Sequence, residues 1–227
     1  MTTTLILGAS RGIGFELARQ SVAAGERVIA TARSDDGLAR LRELGCQALR
    51  LDVAEPASTS GLAWQLDGET LDTAWYVAGV IGPRSDAHTP PTREQFDAVL
   101  HANVLGAMQA IPQVAPLVAA SRAPGGGRFG FISSVMGQIG TAGGSDAWLY
   151  RVSKAALNMA VHSARQAWPG ALLLCLHPGW VQTDMGGAQA PVTVHDSAAG
   201  LRATLAAAAP ADSGAFFQYD GTRLAGW

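Results

Sequence analysis

Lysine is almost absent from this chain. One lysine, Lys154, stands against fifteen arginines, and a position that keeps lysine against such a bias needs a compact ammonium on a flexible stem, which a planar guanidinium does not imitate. Cysteine is nearly as scarce: Cys46 and Cys175 form no C-x-x-C pair, and the five histidines show no metal-ligand spacing. A disulfide framework and a metal centre are therefore not expected, and both thiols read as reduced and structural. Charged residues make up 15% of the chain, the net charge is −2 and no basic cluster stands out, which argues against nucleic acid or an anionic membrane as partner. The apolar stretch 104–120 is broken by Gln109, Pro112, Gln113 and Pro116 and makes no convincing membrane span. The start, Met1-Thr-Thr-Thr-Leu-Ile-Leu-Gly8, lacks a cationic leader region and runs straight into a glycine loop, so it reads as mature structure. The cytoplasm is the expected compartment.

What is present suits one core. At 227 residues and 48% hydrophobic, residues 1–227 are expected to form a single domain. Strand-like runs fall at Thr3 to Leu7, Arg27 to Thr31, Gln47 to Leu51, Thr73 to Val77, Arg128 to Ser133, Ala171 to His177 and Ala215 to Gln218. Helical patterns near 12–24, 35–44, 56–66, 93–120, 147–167 and 196–208 separate them. Strands joined by helix-length crossovers predict an α/β fold with a seven-stranded, mainly parallel, doubly wound sheet covered on both faces. The Gly- and Pro-rich stretches 124–127 and 186–191 read as loops.

Gly8-Ala-Ser-Arg-Gly12-Ile-Gly14 follows the first strand and opens the first helix. In that setting glycines let backbone N–H groups approach a pyrophosphate; the alternative is a tight turn without a ligand. About 20 residues on, an NAD site places an acid for the ribose hydroxyls. Here Ile29-Ala-Thr-Ala-Arg33 supplies no acid before Asp35 and instead offers Arg33, with Arg11 as a second arm. Guanidiniums hold phosphate oxygens bidentately, so NADP(H) is the expected cofactor, against two solvated surface arginines as the alternative. Tyr150 precedes Lys154 by four residues, which on a helix puts a phenol beside a cation.

With the glycine loop, Phe131-Ile-Ser-Ser-Val-Met-Gly137 and Tyr150-Arg-Val-Ser-Lys154 in this order, the chain resembles the short-chain dehydrogenase/reductase family over nearly its whole length. The segments His177-Pro-Gly-Trp-Val-Gln-Thr-Asp-Met-Gly-Gly187 and Ser213-Gly-Ala-Phe-Phe-Gln-Tyr-Asp-Gly221 are most similar to its C-factor and sniffer-type carbonyl reductase branch. The resemblance implies a Rossmann-type domain and hydride transfer between the nicotinamide of NADP(H) and a carbonyl or secondary alcohol. It makes Tyr150 the general acid and base. Lys154 would lower the phenol pKa and bond the nicotinamide ribose; an ammonium about 4 Å away contributes roughly 4 kcal/mol at an effective dielectric near 20. Ser134 would bond the substrate carbonyl, with Ser133 the neighbour left out. Asn103 would hold a relay water against the lysine, or else satisfy helix backbone.

The same resemblance implies that Gly8, Ser10, Arg11, Gly12, Ile13 and Gly14 cradle the phosphates. It places Asp52 and Val53 at the adenine, Ala78 and Gly79 along the cofactor, and Pro178, Gly179, Val181 and Thr183 beside the nicotinamide. Asp52 is also placed to cap the next helix in a capping box with Glu55. One departure is plain: the fourth strand ends Tyr76-Val-Ala-Gly79, where the family has Asn-Asn-Ala-Gly, so the amide that ties neighbouring strands is missing. The substrate pocket is expected to be shallow and apolar, with a lid from Asp184 to His195 and a wall of Met136, Trp148, Trp180 and Met185. The glycine-containing stretch between Ser134 and Tyr150 would form its lip. By resemblance, the helices at 93–120 and 147–167 pair copies of the chain into a homodimer or homotetramer. The runner-up is a dinucleotide-binding regulatory protein of the same fold. A nucleotide-sugar epimerase is disfavoured, because little chain remains after the seventh strand.

Overall fold

The computed structural model describes residues 1–227. Seven strands, β1 (Thr3–Leu7), β2 (Arg27–Ala32), β3 (Gln47–Arg50), β4 (Thr73–Tyr76), β5 (Gly127–Ile132), β6 (Ala171–His177) and β7 (Phe216–Gln218), form one sheet in the order β3-β2-β1-β4-β5-β6-β7. Every neighbouring pair is parallel, as helix-length crossovers require. The chain reverses its direction of travel between β1 and β4, and the carboxyl ends of those strands open a crevice there.

Alternation along each strand feeds two cores. Leu5 and Leu7 of β1 face the core under α6 (Gly106–Ala119) and α7 (Trp148–Ala164), whereas Ile6 faces the core under α1 (Gly12–Ala23), α2 (Asp35–Glu43) and α8 (Val194–Ala207). A strand covered on both sides gains nothing from polar alternation, and β6 is accordingly apolar and buried from Ala171 to Leu176.

Two expected helices differ in form. The stretch at 56–66 is two short helices, α3 (Pro56–Thr59) and α4 (Leu62–Gln65), parted at Ser60 and Gly61. Pro56, whose fixed φ suits a first helical position, sets the start of α3 and makes Glu55 its N-cap. The capping box from Asp52 therefore does not form; its carboxylate accepts from the Ala54 N–H at 3.0 Å in an Asx turn. The long helix at 93–120 is continuous but uneven: α5 (Arg93–Leu100) passes through a π-helical turn at His101–Leu105 before α6. Such turns gather at functional sites, and this one carries Asn103.

Ala147, the residue before α7, is the chain's one non-glycine residue with positive φ, at φ 48° and ψ 40°. A left-handed backbone costs an L-residue about 1–2 kcal/mol and a β-branched one more. Thermal melts are expected to place Ala147→Gly level with or above the parent and Ala147→Val below it by several degrees, since about 1 kcal/mol moves Tm roughly 2–4 °C at this size.

Candidate active site

The crevice is a cleft of about 670 Å³ between the glycine loop, the ends of β2 to β5, the start of α7 and the loop after β6. Gly8, Ser10, Arg11, Gly12, Ile13 and Gly14 line its floor. Gly14 has no alternative, because a Cβ there would lie 2.2 Å from the Gly8 carbonyl oxygen. The first turn of α1 has neither a side-chain cap nor an acid, which leaves its N–H donors to the cleft. An uncapped helix start behind a glycine turn fits a pyrophosphate.

At the end of the cleft beside β2 and β3, Arg33, Asp52 and Val53 line it. Arg40 joins them from α2. Arg11 is held differently from Arg33. Its guanidinium pairs with Asp184 at 2.7 Å, spanning from the glycine loop to the loop after β6.

The missing asparagine is replaced by another tie. The Tyr76 hydroxyl donates to the Ala102 carbonyl oxygen at 2.7 Å within the π-helical turn. Next to it, the buried Asn103 amide accepts from the Val80 N–H and donates to the Val80 carbonyl, both at 2.8 Å, and donates to Ser153 Oγ at 2.9 Å. Ala78 and Gly79 line the cleft from this braced segment. The end of β4 and the segment after it are thus tied from the helix side. Asn103 itself does not line the cleft.

Tyr150 and Lys154 share a face of α7, 8% and 4% exposed, and both line the cleft. Lys154 Nζ donates to the Ile132 carbonyl at the end of β5, 2.8 Å away, and sits 5.5 Å from the centre of the Tyr150 ring. Burial lowers the Lys154 pKa to about 8, with the neighbouring Cys175 acting weakly the other way. The expected lowering of the phenol pKa is not found in this arrangement. Burial pushes Tyr150 up to about 12, with the neighbouring Ser134 side chain acting the other way. Ser134 lies off the cleft lining, and its Oγ accepts from the Met136 N–H at 3.1 Å. Ser133 donates to Asn158 Oδ1 at 2.5 Å and holds β5 to α7. Gly137, noted in the sequence only as part of a motif, lets the turn after Ser134 press on α7: a Cβ there would meet the Lys154 carbonyl carbon at 2.7 Å.

Beyond Pro178, which lines the cleft, Gly179 adopts φ +84° and Val181 bridges to Val192. Thr183 lines the cleft and accepts from the Gly186 N–H at 3.1 Å. Of the four expected wall residues only Met185 lines the cleft. Trp180 is 58% exposed, its Nε1 donating to the Gly186 carbonyl of its own loop; Met136 and Trp148 are part-buried elsewhere. At the base of the lip, Gln138 Nε2 donates to the Gly226 carbonyl at 3.0 Å and the Gly140 N–H to the Trp227 carbonyl at 3.1 Å. No helix is long and apolar enough to cross a membrane.

A glycine-loop crevice with a buried tyrosine and lysine on one helix defines a dinucleotide-fold oxidoreductase class. The chain belongs to the short-chain dehydrogenase family, whose model matches residues 2–192. A 1-hydroxy-2-glutathionyl-2-methyl-3-butene dehydrogenase of Rhodococcus sp. is 32% identical over 233 residues, 99% of each chain. The C-signal protein of Myxococcus xanthus is 43% identical over 99 residues, 43% of this chain and 60% of that one. Among solved structures, a carbonyl reductase of Pseudomonas aeruginosa in complex with NADP superposes with TM-score 0.85 at 33% identity, covering 100% of both chains. The C-signal and carbonyl reductase likeness is the branch that the residues resembled.

Lys154 has a thermodynamic consequence. Its folded pKa, about 8, lies below the ordinary 10.5, so the buried charge costs stability fully below pH 8, and the cost fades as pH rises towards 10.5. Lys154→Met is expected to melt above the parent at pH 7, by up to about 3 kcal/mol less the lost Ile132 contact, with the gain shrinking by pH 10. Melting curves across that range check the sign, and a variant less stable at pH 7 would contradict it.

Proposed function

We propose that this chain is an NADP(H)-dependent oxidoreductase that interconverts a small carbonyl compound and the corresponding secondary alcohol. The observation that carries the reading is that buried Tyr150 and Lys154 open onto the same cleft as the glycine loop. When bound, the nicotinamide supplies or accepts the hydride. Ser134 orients the carbonyl oxygen beside Tyr150, and Tyr150 donates its proton to that oxygen as charge develops. Burial raises the phenol pKa above its ordinary value, so the proton to be donated is present at neutral pH, which suits carbonyl reduction. Lys154 stabilises the phenolate left behind, and Asn103 braces the backbone beside the lysine. Arg33, with Arg40, receives the 2′-phosphate; Asp52 and Val53 meet the adenine; Gly179, Val181 and Thr183 shape the nicotinamide end. Met185 supports an apolar substrate.

Steady-state NADPH oxidation with ketones, aldehydes and quinones tests the proposal. Tyr150→Phe is expected to lower kcat at least about 100-fold, as for loss of a positioned acid, with NADPH affinity nearly unchanged in a folded protein. Full activity in that variant would remove Tyr150 as proton donor. The likeness to C-signal favours a second reading, a dinucleotide-binding regulator; NADPH binding without turnover on any carbonyl would support it. For assembly, exposed Phe96 on α5, Met108 on α6 and Val152 and Met159 on α7 support pairing through these helices. Sedimentation is expected to give a dimer or tetramer at micromolar concentration, and a monomer would sink this.

A further inference from the structure

Three arginines from three elements gather at the end of the cleft beside β2 and β3: Arg33 after β2, Arg40 on α2 and Arg50 at the end of β3. Arg33 and Arg40 line the cleft, whereas Arg50 does not. Its contacts are with its neighbours. Arg50 Nη1 donates to the Arg33 backbone carbonyl at 2.8 Å, and Nη2 pairs with the Asp35 carboxylate. The register explains the reach, since β3 places Arg50 opposite Ala32, the residue before Arg33.

Asp35, 89% exposed, has Arg50 as its partner. It opens α2 together with Asp36, and this first turn is pressed on the glycine loop: a Cβ at Gly37 would lie 2.9 Å from Ala32 Cβ and 3.0 Å from Ser10 Cβ. A carboxylate suits a helix start. Beside a bound phosphate dianion, however, it repels the ligand and competes for the ligand's guanidinium partners.

We propose that Arg50 is a positioning residue that sets cofactor specificity: by holding Asp35 and the Arg33 carbonyl, it leaves Arg33 and Arg40 free for a 2′-phosphate. The role rests on the NADP(H) reading above. Arg50 touches no cofactor atom in this scheme. With Arg50 removed, Asp35 turns to the guanidiniums that remain, Arg33 two residues before it and Arg40 on the same helix. The loss then falls on the cofactor that carries the phosphate.

The test is equilibrium binding of NADPH and NADH to the full chain at low ionic strength, followed by fluorescence, with melting curves showing each variant folded. Arg50→Gln is expected to raise the Kd for NADPH about five- to tenfold while moving that for NADH less than about twofold. Asp35→Asn in the parent should change NADPH binding less than about twofold, yet in the Arg50→Gln background it should recover most of the loss, a non-additivity expected of residues in contact. Arg50→Lys, which keeps the ion pair, should retain most of the preference. The proposal is overturned if Arg50→Gln weakens both cofactors equally, or if Asp35→Asn acts equally in both backgrounds. Arg33→Ala is the control for the underlying reading and should weaken NADPH about tenfold or more. A parent that binds NADPH and NADH alike would overturn the cofactor reading itself, a result distinct from a parent that prefers NADPH while Arg50→Gln leaves the ratio unchanged.

Discussion

The arrangement depends on burying one ammonium. Lys154 is held inside α7 against the last carbonyl of β5, and an uncompensated charge at such a depth would be costly. One carbonyl bond offsets part of that cost, and burial still lowers the lysine's pKa. To sustain it, the neighbours must be placed closely: Gly137 lets the turn after β5 lie on the lysine's own backbone, and Ser133 and Asn158 fix β5 to α7 one turn further along. Stability is spent at this point to keep a cation where a phenol and a cofactor cleft meet.

A second constraint works from the opposite wall. The end of β4 must run beside the cleft without collapsing into it, and it is tethered to the π-helical turn by Tyr76 and Asn103. Asn103 also reaches Ser153, whose hydroxyl donates to the Tyr150 carbonyl at 2.8 Å. The backbone that carries Tyr150 is thereby connected to the segment that carries Ala78 and Gly79. Tyr76, in place of asparagine, ties the end of β4 to the π-helical turn.

Most of the fold was legible because parallel strands buried on both faces and periodic helices leave strong patterns; β6 is an apolar run, and its limits are those read from the sequence. The glycine loop and the tyrosine and lysine pair were legible because their spacing is local. What escaped depends on side-chain direction across elements. Pro56 displaced the cap expected at Asp52; Trp180 turned back onto its own loop; Arg40 entered the cleft from a helix; and the phenol met burial before it met the ammonium. None of these follows from the spacing of a motif, since each is decided by how backbone and side chains settle once the elements are in place.

The scarcity of lysine has a practical side. An acylating reagent directed at side-chain amines finds one on this chain, Nζ of Lys154, which is 4% exposed and faces the cleft. The surface, whose cations are all arginine, stays silent. The slow modification of Lys154 thus becomes a direct reporter of access to the cleft, slowed by whatever fills it.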